Sequence, residues 1–254
     1  LNYKLFLPIM LLCSSFSANA EERWFEVEVL LFQRNISLEK IAEKLSDDLI
    51  AVDTSSSTSM LKVNAMDEPN PVIISAQQYD HNANNFILLD SSHLQLSAQR
   101  EKLAAHAAFK PVLHMAWQMP VKSNNDAKPI RLFGGENLAL GTQSGNKWAI
   151  DGNFKIYLDH YLFIDTQFIV SQKTVQEQIK RQPADEQDSN SLESENIVEI
   201  ISLKRDSDTF INEPEMVIKE ALFDQRRRLR SEEIHYLDHP LMGIIVQIRK
   251  IEEK

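Results

Sequence analysis

Cysteine is almost absent. The chain of 254 residues holds one, Cys13, and only six glycines. A lone thiol forms no internal disulfide, so thiolate catalysis and cysteine-ligated metal centres are excluded beyond position 13. Stability must come from burial alone. Long apolar runs are missing too: nothing after residue 20 approaches the ~20 consecutive apolar residues that a helix needs to cross a bilayer, so no membrane span is expected. Catalytic signatures are also lacking. There is no Gly-x-Ser-x-Gly elbow, no Ser-x-x-Lys with its companion motifs, and no glycine-rich phosphate loop. None of the 37 acidic residues stands out as half of a hydrolytic carboxylate pair. Positive charge is the last shortage, with 27 basic residues and a net charge of −10. Such a surface repels phosphate backbones and anionic head groups, so no nucleic acid is expected as a partner. Any anionic ligand must be met by a local basic patch.

What is present begins with a leader. Lys4 supplies a positive start, Leu5 to Phe16 an apolar stretch, and Ala18-Asn19-Ala20 a small-x-small cleavage site. Residues 1–20 are therefore expected to be a cleaved signal peptide. Leu12 before Cys13 is too bulky for a lipid-attachment site, which favours soluble export. Residues 21–254 are read as one domain, long enough for a sizeable core.

Strand signals dominate that domain. Trp24 to Phe32 alternates acidic and apolar residues before turning fully apolar, as a strand that starts half-exposed and ends buried would. Ser37 to Leu45 reads as an amphipathic helix and Ser97 to Phe109 as the clearest helix. Ile87-Leu88-Leu89 suggests a short buried strand, and Pro111 to Pro120 a strand bracketed by prolines. Gly134-Gly135 suggests a turn that needs positive φ. Residues 154–170 form one long bent strand, or two strands joined through a kink at Asp159-His160. Mobile polar loops are expected near 53–70 and 172–196, a strand over Ile197 to Leu203, and irregular or helical chain over Pro214 to Leu222. The fold class is α+β, a mainly antiparallel sheet with two short helices and long polar loops.

The densest chemistry lies in Arg226-Arg227-Arg228-Leu229-Arg230 and His235-Tyr236-Leu237-Asp238-His239-Pro240-Leu241. On a strand, Arg226, Arg228 and Arg230 share one face at ~7 Å spacing. Such a row of planar guanidinium forks can read carboxylates along an extended polymer, for example the stem peptides of cell-wall murein. The opposite outcome is internal pairing with Asp224, Glu232, Glu233 and Asp238, which the mixed signs of the stretch favour. His235 and His239, four apart with Asp238 adjacent, would converge on a metal only on a helix, and Pro240 opposes one. A hydrolase using that pair is the alternative function. No metal and no cofactor are expected. Asp238 and His239 instead suit backbone hydrogen bonds at a turn, with Pro240 fixing entry into the next strand. Trp24, Trp117 and Trp148 can stack on sugars, but their strand-like contexts favour core packing.

These residues carry a resemblance. Arg227-Arg228-Leu229-Arg230-Ser231, then His235-Tyr236-Leu237-Asp238-His239-Pro240-Leu241 and Gly243, resembles the C-terminal signature of the CsiV family, periplasmic peptidoglycan-binding proteins of gammaproteobacteria. Trp24 to Asn35 is similar to the family's opening strand. Val112 to Pro120, Gly134-Gly135, and Gly152 leading to Tyr161-Leu162 fit its middle. Asp159-His160-Tyr161-Leu162 departs from it, lacking a basic residue before the tyrosine. The resemblance implies a periplasmic, non-enzymatic protein that binds peptidoglycan. It also implies promotion of cell-wall assembly with the outer-membrane lipoprotein activator of a bifunctional penicillin-binding protein, and no catalytic residues to carry over.

Overall fold

Alternating β-branched and aromatic residues specify strands with one dry face, and two such sheets can bury those faces against each other. The computed structural model describes residues 23–37, 51–62, 71–75, 79, 86–139, 146–181 and 210–251. Its strands are β1 (Trp24–Arg34), β2 (Thr58–Ser59), β3 (Ile87–Leu88), β4 (Phe109–Pro120) and β5 (Ile130–Asn137). They continue with β6 (Trp148–Asp159), β7 (Tyr161–Arg181), β8 (Phe210–Leu229), β9 (Ile234–Asp238) and β10 (Met242–Lys250). Two five-stranded sheets result, ordered β3-β4-β1-β10-β9 and β2-β5-β6-β7-β8. All pairings between these strands are antiparallel except β2 with β5.

β1 lies at the centre of the first sheet and sends Val27, Val29 and Leu31 into the core. Trp117 of β4 meets Phe154 of β6 edge-on across the interface, ring centroids 6.2 Å apart. Truncating either ring would cost about 3–5 kcal/mol. The sheets also approach at one edge, where β4 passes so close to β5 that a Cβ on Gly134 would lie 2.6 Å from the Val112 carbonyl oxygen.

The α+β, mainly antiparallel expectation holds, with differences in detail. Gly134-Gly135 is no turn: both lie within β5 where its register with β6 shifts, and Gly135 has the expected positive φ, 86°. The helix α1 spans Ser97–Ala105 only, because His106 turns extended and Phe109 already opens β4. Apart from Ser37, the helix expected over 37–45 lies outside the described residues, as does the strand expected over 197–203. Ile87–Leu88 is a strand, but Ile87 is half-exposed. Within 53–70, Thr58–Ser59 pairs with β5 and Met60 and Leu61 are buried, so this part is no surface loop; 63–70 lie outside the described residues.

The largest correction concerns polar sequence. β7 continues through 172–181, where a loop was expected, and 214–222 is strand, neither irregular nor helical. The two strands pair without interruption from Leu162↔Leu229 to Arg181↔Phe210. Residues 182–196 lie outside the described residues. The long apolar run over 154–170 is two strands in a tight hairpin, with Asp159 paired to Tyr161 and His160 alone at the tip.

Candidate functional site

Leu162 and Leu229 are cross-strand partners at the end of the β7–β8 ladder, both buried. Just beyond them lies an open cleft of about 790 Å³, with Leu158, Leu162 and Leu229 among its apolar lining. Its polar lining comes from four separate parts of the chain: Arg23 and Trp24 at the start of β1, His160 and Tyr161 at the hairpin tip, Arg230 after β8, and Lys250 at the end of β10. Among the described residues no acidic side chain lines it, in a chain of net charge −10. A concave basic site with aromatic walls suits an anionic ligand that also presents a flat apolar face.

Strain concentrates here too. Among the described residues, the non-glycine positions with positive φ are His160, at 57°, and Glu232, at 69°. His160 lines the cleft and Glu232 follows Ser231, which also lines it. A left-handed L-residue costs roughly 1–2 kcal/mol, so surrounding contacts must hold each in place. For Glu232 they are visible. Its backbone N–H donates to Ile248 O at 2.8 Å, and its carboxylate accepts the Lys250 backbone N–H at 2.9 Å.

The arginines divide. Arg226 and Arg228 share the outer face of β8, whereas Arg230 follows the end of the strand, so the row of three breaks at Leu229. Arg226 Nε lies 3.5 Å from Asp165 and its guanidinium 5.5 and 5.4 Å from the ring centroids of Tyr157 and Phe163. Arg230 lies 3.5 Å from Glu233 with both side chains exposed, a pairing worth under ~1 kcal/mol. Arg228 rests flat on Tyr161, 3.9 Å from its ring centroid, and among the described residues no carboxylate pairs with it. Of the internal partners expected, only Glu233 is used. Asp224 accepts from Gln167, Glu232 takes Lys250, and Asp238 takes Arg34.

The histidine half of the motif fastens the fold. The backbone carbonyls of Tyr236 and Asp238 on edge strand β9 accept side-chain bonds from Arg227, at 3.3 Å, and Gln225, at 2.6 Å. Two β8 side chains thus bridge the edges of the two sheets. The Asp238 carboxylate accepts from the Arg34 guanidinium and the Tyr236 hydroxyl, not from turn backbone as expected. His239 behaves as expected: its Nδ1 accepts the Leu241 N–H at 3.2 Å, and its own N–H donates to Met242 O at 3.0 Å. Pro240 sits in the bend just before β10. His235 Nε2 lies 3.1 Å from both the N and O of Arg230, tying β9 back to the cleft. Because β9 is extended, His235 and His239 stand ~13 Å apart, far beyond a shared metal. Among the described residues, no three His, Cys, Asp or Glu side chains gather as a metal site. Gly243 is required: a Cβ there would come within 2.3 Å of Phe32 Cζ and 2.9 Å of Tyr236 Cε2.

One constellation escaped the sequence reading. Glu28 of β1 is fully buried, beside the fully buried His114 of β4 and the nearly buried Arg249 of β10. Its carboxylate accepts four bonds, from the Gln95 and Leu96 backbone N–H groups (3.0 and 2.7 Å), His114 Nε2 (2.9 Å) and Arg249 (2.8 Å). Burial alone would push its pKa up. The bonds from His114, Leu96, Arg249 and Gln95 outweigh that and hold it down, from 4.5 to about 2. The network pins the chain leading into α1 onto the outer face of the first sheet. It is a structural lock, and none of Glu28, His114 and Arg249 lines the cleft. The tryptophans also sort themselves: Trp117 and Trp148 are core, as expected, while Trp24, expected there too, is only partly buried and lines the cleft.

The model of one family, described as "Peptidoglycan-binding protein, CsiV", matches residues 4–251. The chain belongs to the CsiV family. No curated protein and no solved structure matches it. As a CsiV-family member it is a peptidoglycan-binding protein, which implies a cell-envelope location. The signature from Arg227 to Gly243 gains physical meaning in this CsiV-family fold. Arg227, Asp238 and Gly243 close and seat the sheets, Arg230 lines the cleft, and Arg228 lies over Tyr161.

Proposed function

We propose that this CsiV-family protein is a non-enzymatic periplasmic adaptor that holds peptidoglycan at the basic cleft and promotes cell-wall assembly. The observation that carries the reading is the lining of the cleft, basic and aromatic and, among the described residues, without an acid. Peptide stems of murein carry carboxylates, which guanidinium and ammonium groups bind through charge-assisted hydrogen bonds. The sugar backbone offers flat faces on which Trp24 and Tyr161 can stack. The ordinary hydrolytic arrangements need a paired acid and base, a nucleophile with its base, or a metal. Among the described residues the cleft lining offers no carboxylate, and His235 and His239 are engaged with backbone groups. The proposed partner is the outer-membrane lipoprotein activator of a bifunctional penicillin-binding protein, following the resemblance in the signature residues.

Co-sedimentation with purified sacculi tests the binding surface. The protein should pellet with sacculi, and less so as salt screens the contacts. The triple reversal Arg228→Glu/Arg230→Glu/Lys250→Glu should stay in the supernatant while keeping its circular dichroism spectrum. Undiminished pelleting of the folded triple variant would remove the cleft from the account, and release of soluble muropeptides would establish an enzyme instead. Pull-down of the lipoprotein activator in murein-free buffer tests the partner.

A further inference from the structure

We infer that the Arg228–Tyr161 pair is a carboxylate reader, so that the protein recognises free carboxylates on the peptide stems of murein rather than its glycan. The inference rests on the proposed cleft, which Tyr161 lines while Arg228 lies over its ring on the outer face of the same sheet. Three observations converge on this pair. Arg226 and Arg230 each already face a carboxylate at 3.5 Å, Asp165 and Glu233, and Arg227 donates to the Tyr236 carbonyl. Arg228 alone among the four has no side-chain oxygen partner among the described residues, and its guanidinium lies over the ring of Tyr161. That ring belongs to Tyr161, half-exposed at 53% and itself part of the cleft lining.

Stacking on an aromatic face fixes the plane of a guanidinium and leaves its N–H edge pointing outward. A fork held in one plane loses little further entropy when it takes a carboxylate bidentately. Tyr161 is in turn the first residue of β7 beside the strained His160, and Arg228 is the cross-strand partner of Phe163 two residues on. Both members of the pair are therefore carried on the same rigid ladder. Arg230 and Lys250 add positive potential in the adjoining cleft. A neutral amide cannot replace the anion here. It offers one acceptor and presents N–H donors to an N–H fork, so amidated stems should be refused.

The test is titration calorimetry of the whole protein with three probes: soluble muropeptides with free stem carboxylates, the same muropeptides amidated, and glycan strands stripped of peptide. Free stems should bind about ten- to a hundredfold more tightly than amidated ones, and stripped glycan should not compete. Tyr161→Leu and Arg228→Lys should each erase most of that preference, the lysine because a point charge cannot form the fork. Equal affinity for free and amidated stems, or full competition by stripped glycan, overturns the inference while leaving peptidoglycan binding at the cleft intact. Loss of sacculus binding altogether overturns both.

Discussion

Replacing Glu28 by glutamine removes one negative charge and one acceptor from a fully buried site. The carboxylate serves two donors on each oxygen: Leu96 N–H and His114 on Oε1, Gln95 N–H and Arg249 on Oε2. Whichever way the amide is turned, one of those pairs faces N–H groups in place of an acceptor. Arg249 retains Glu26, so the cation is not wholly stranded. Losing one member of a buried ion pair costs about 3–5 kcal/mol. For a chain of this length that corresponds to a fall in Tm of roughly 6–20 °C. The pH dependence gives an independent check. With its folded pKa held at about 2 against an ordinary 4.5, Glu28 contributes stability that is present above pH 4.5 and lost as the pH falls through 2. The shift corresponds to a contribution on the order of 3 kcal/mol. Urea unfolding at several pH values should therefore show a wide gap between wild type and Glu28→Gln near neutrality, closing below pH 4.5. A gap under about 1 kcal/mol, or one that stays constant with pH, would refute the reasoning.

The remaining predictions concern backbone geometry. Gly243→Ala should lower stability by about 1–3 kcal/mol in thermal unfolding, because its Cβ displaces the Phe32 and Tyr236 rings. Gly152→Ala should cost more, since its Cβ would lie 2.1 Å from the Gln167 backbone oxygen, which no side-chain rotation can relieve; a smaller loss than Gly243→Ala would contradict the ladder geometry. His160→Gly should raise stability by ~0.5–1 kcal/mol in urea titration by relieving the left-handed φ, net of the entropy of a new glycine. No gain would mean that the hairpin tip stores no strain.

What could be read from the sequence followed the range over which its causes act. β4 was legible from the prolines that bracket it and the 154–170 run from its period-two alternation, both of them local signals. The positive φ at Gly135 was legible because glycine advertises it. The arm formed by 172–181 and 214–222 was not. Val175 and Met216 stay more than half exposed there, so no single buried face imposes a period on the residues. The Glu28 lock was invisible for another reason. His114 is 86 residues from Glu28 and Arg249 is 221, and a glutamate among alternating apolar residues looks like an exposed strand face. The same holds for the cleft. Arg230 announced itself within a basic cluster, whereas Arg23, Tyr161 and Lys250 gain meaning only when the strand ends meet.

The claim that peptidoglycan is held at this cleft is tested most directly by hydrogen-exchange footprinting of the protein with and without soluble muropeptides. Protection should appear over residues 158–162, 228–231 and 249–251, with the β4 and β9 amides unchanged. Protection on the outer face of the first sheet, around Tyr236 and Phe32, with none at the cleft, would contradict it.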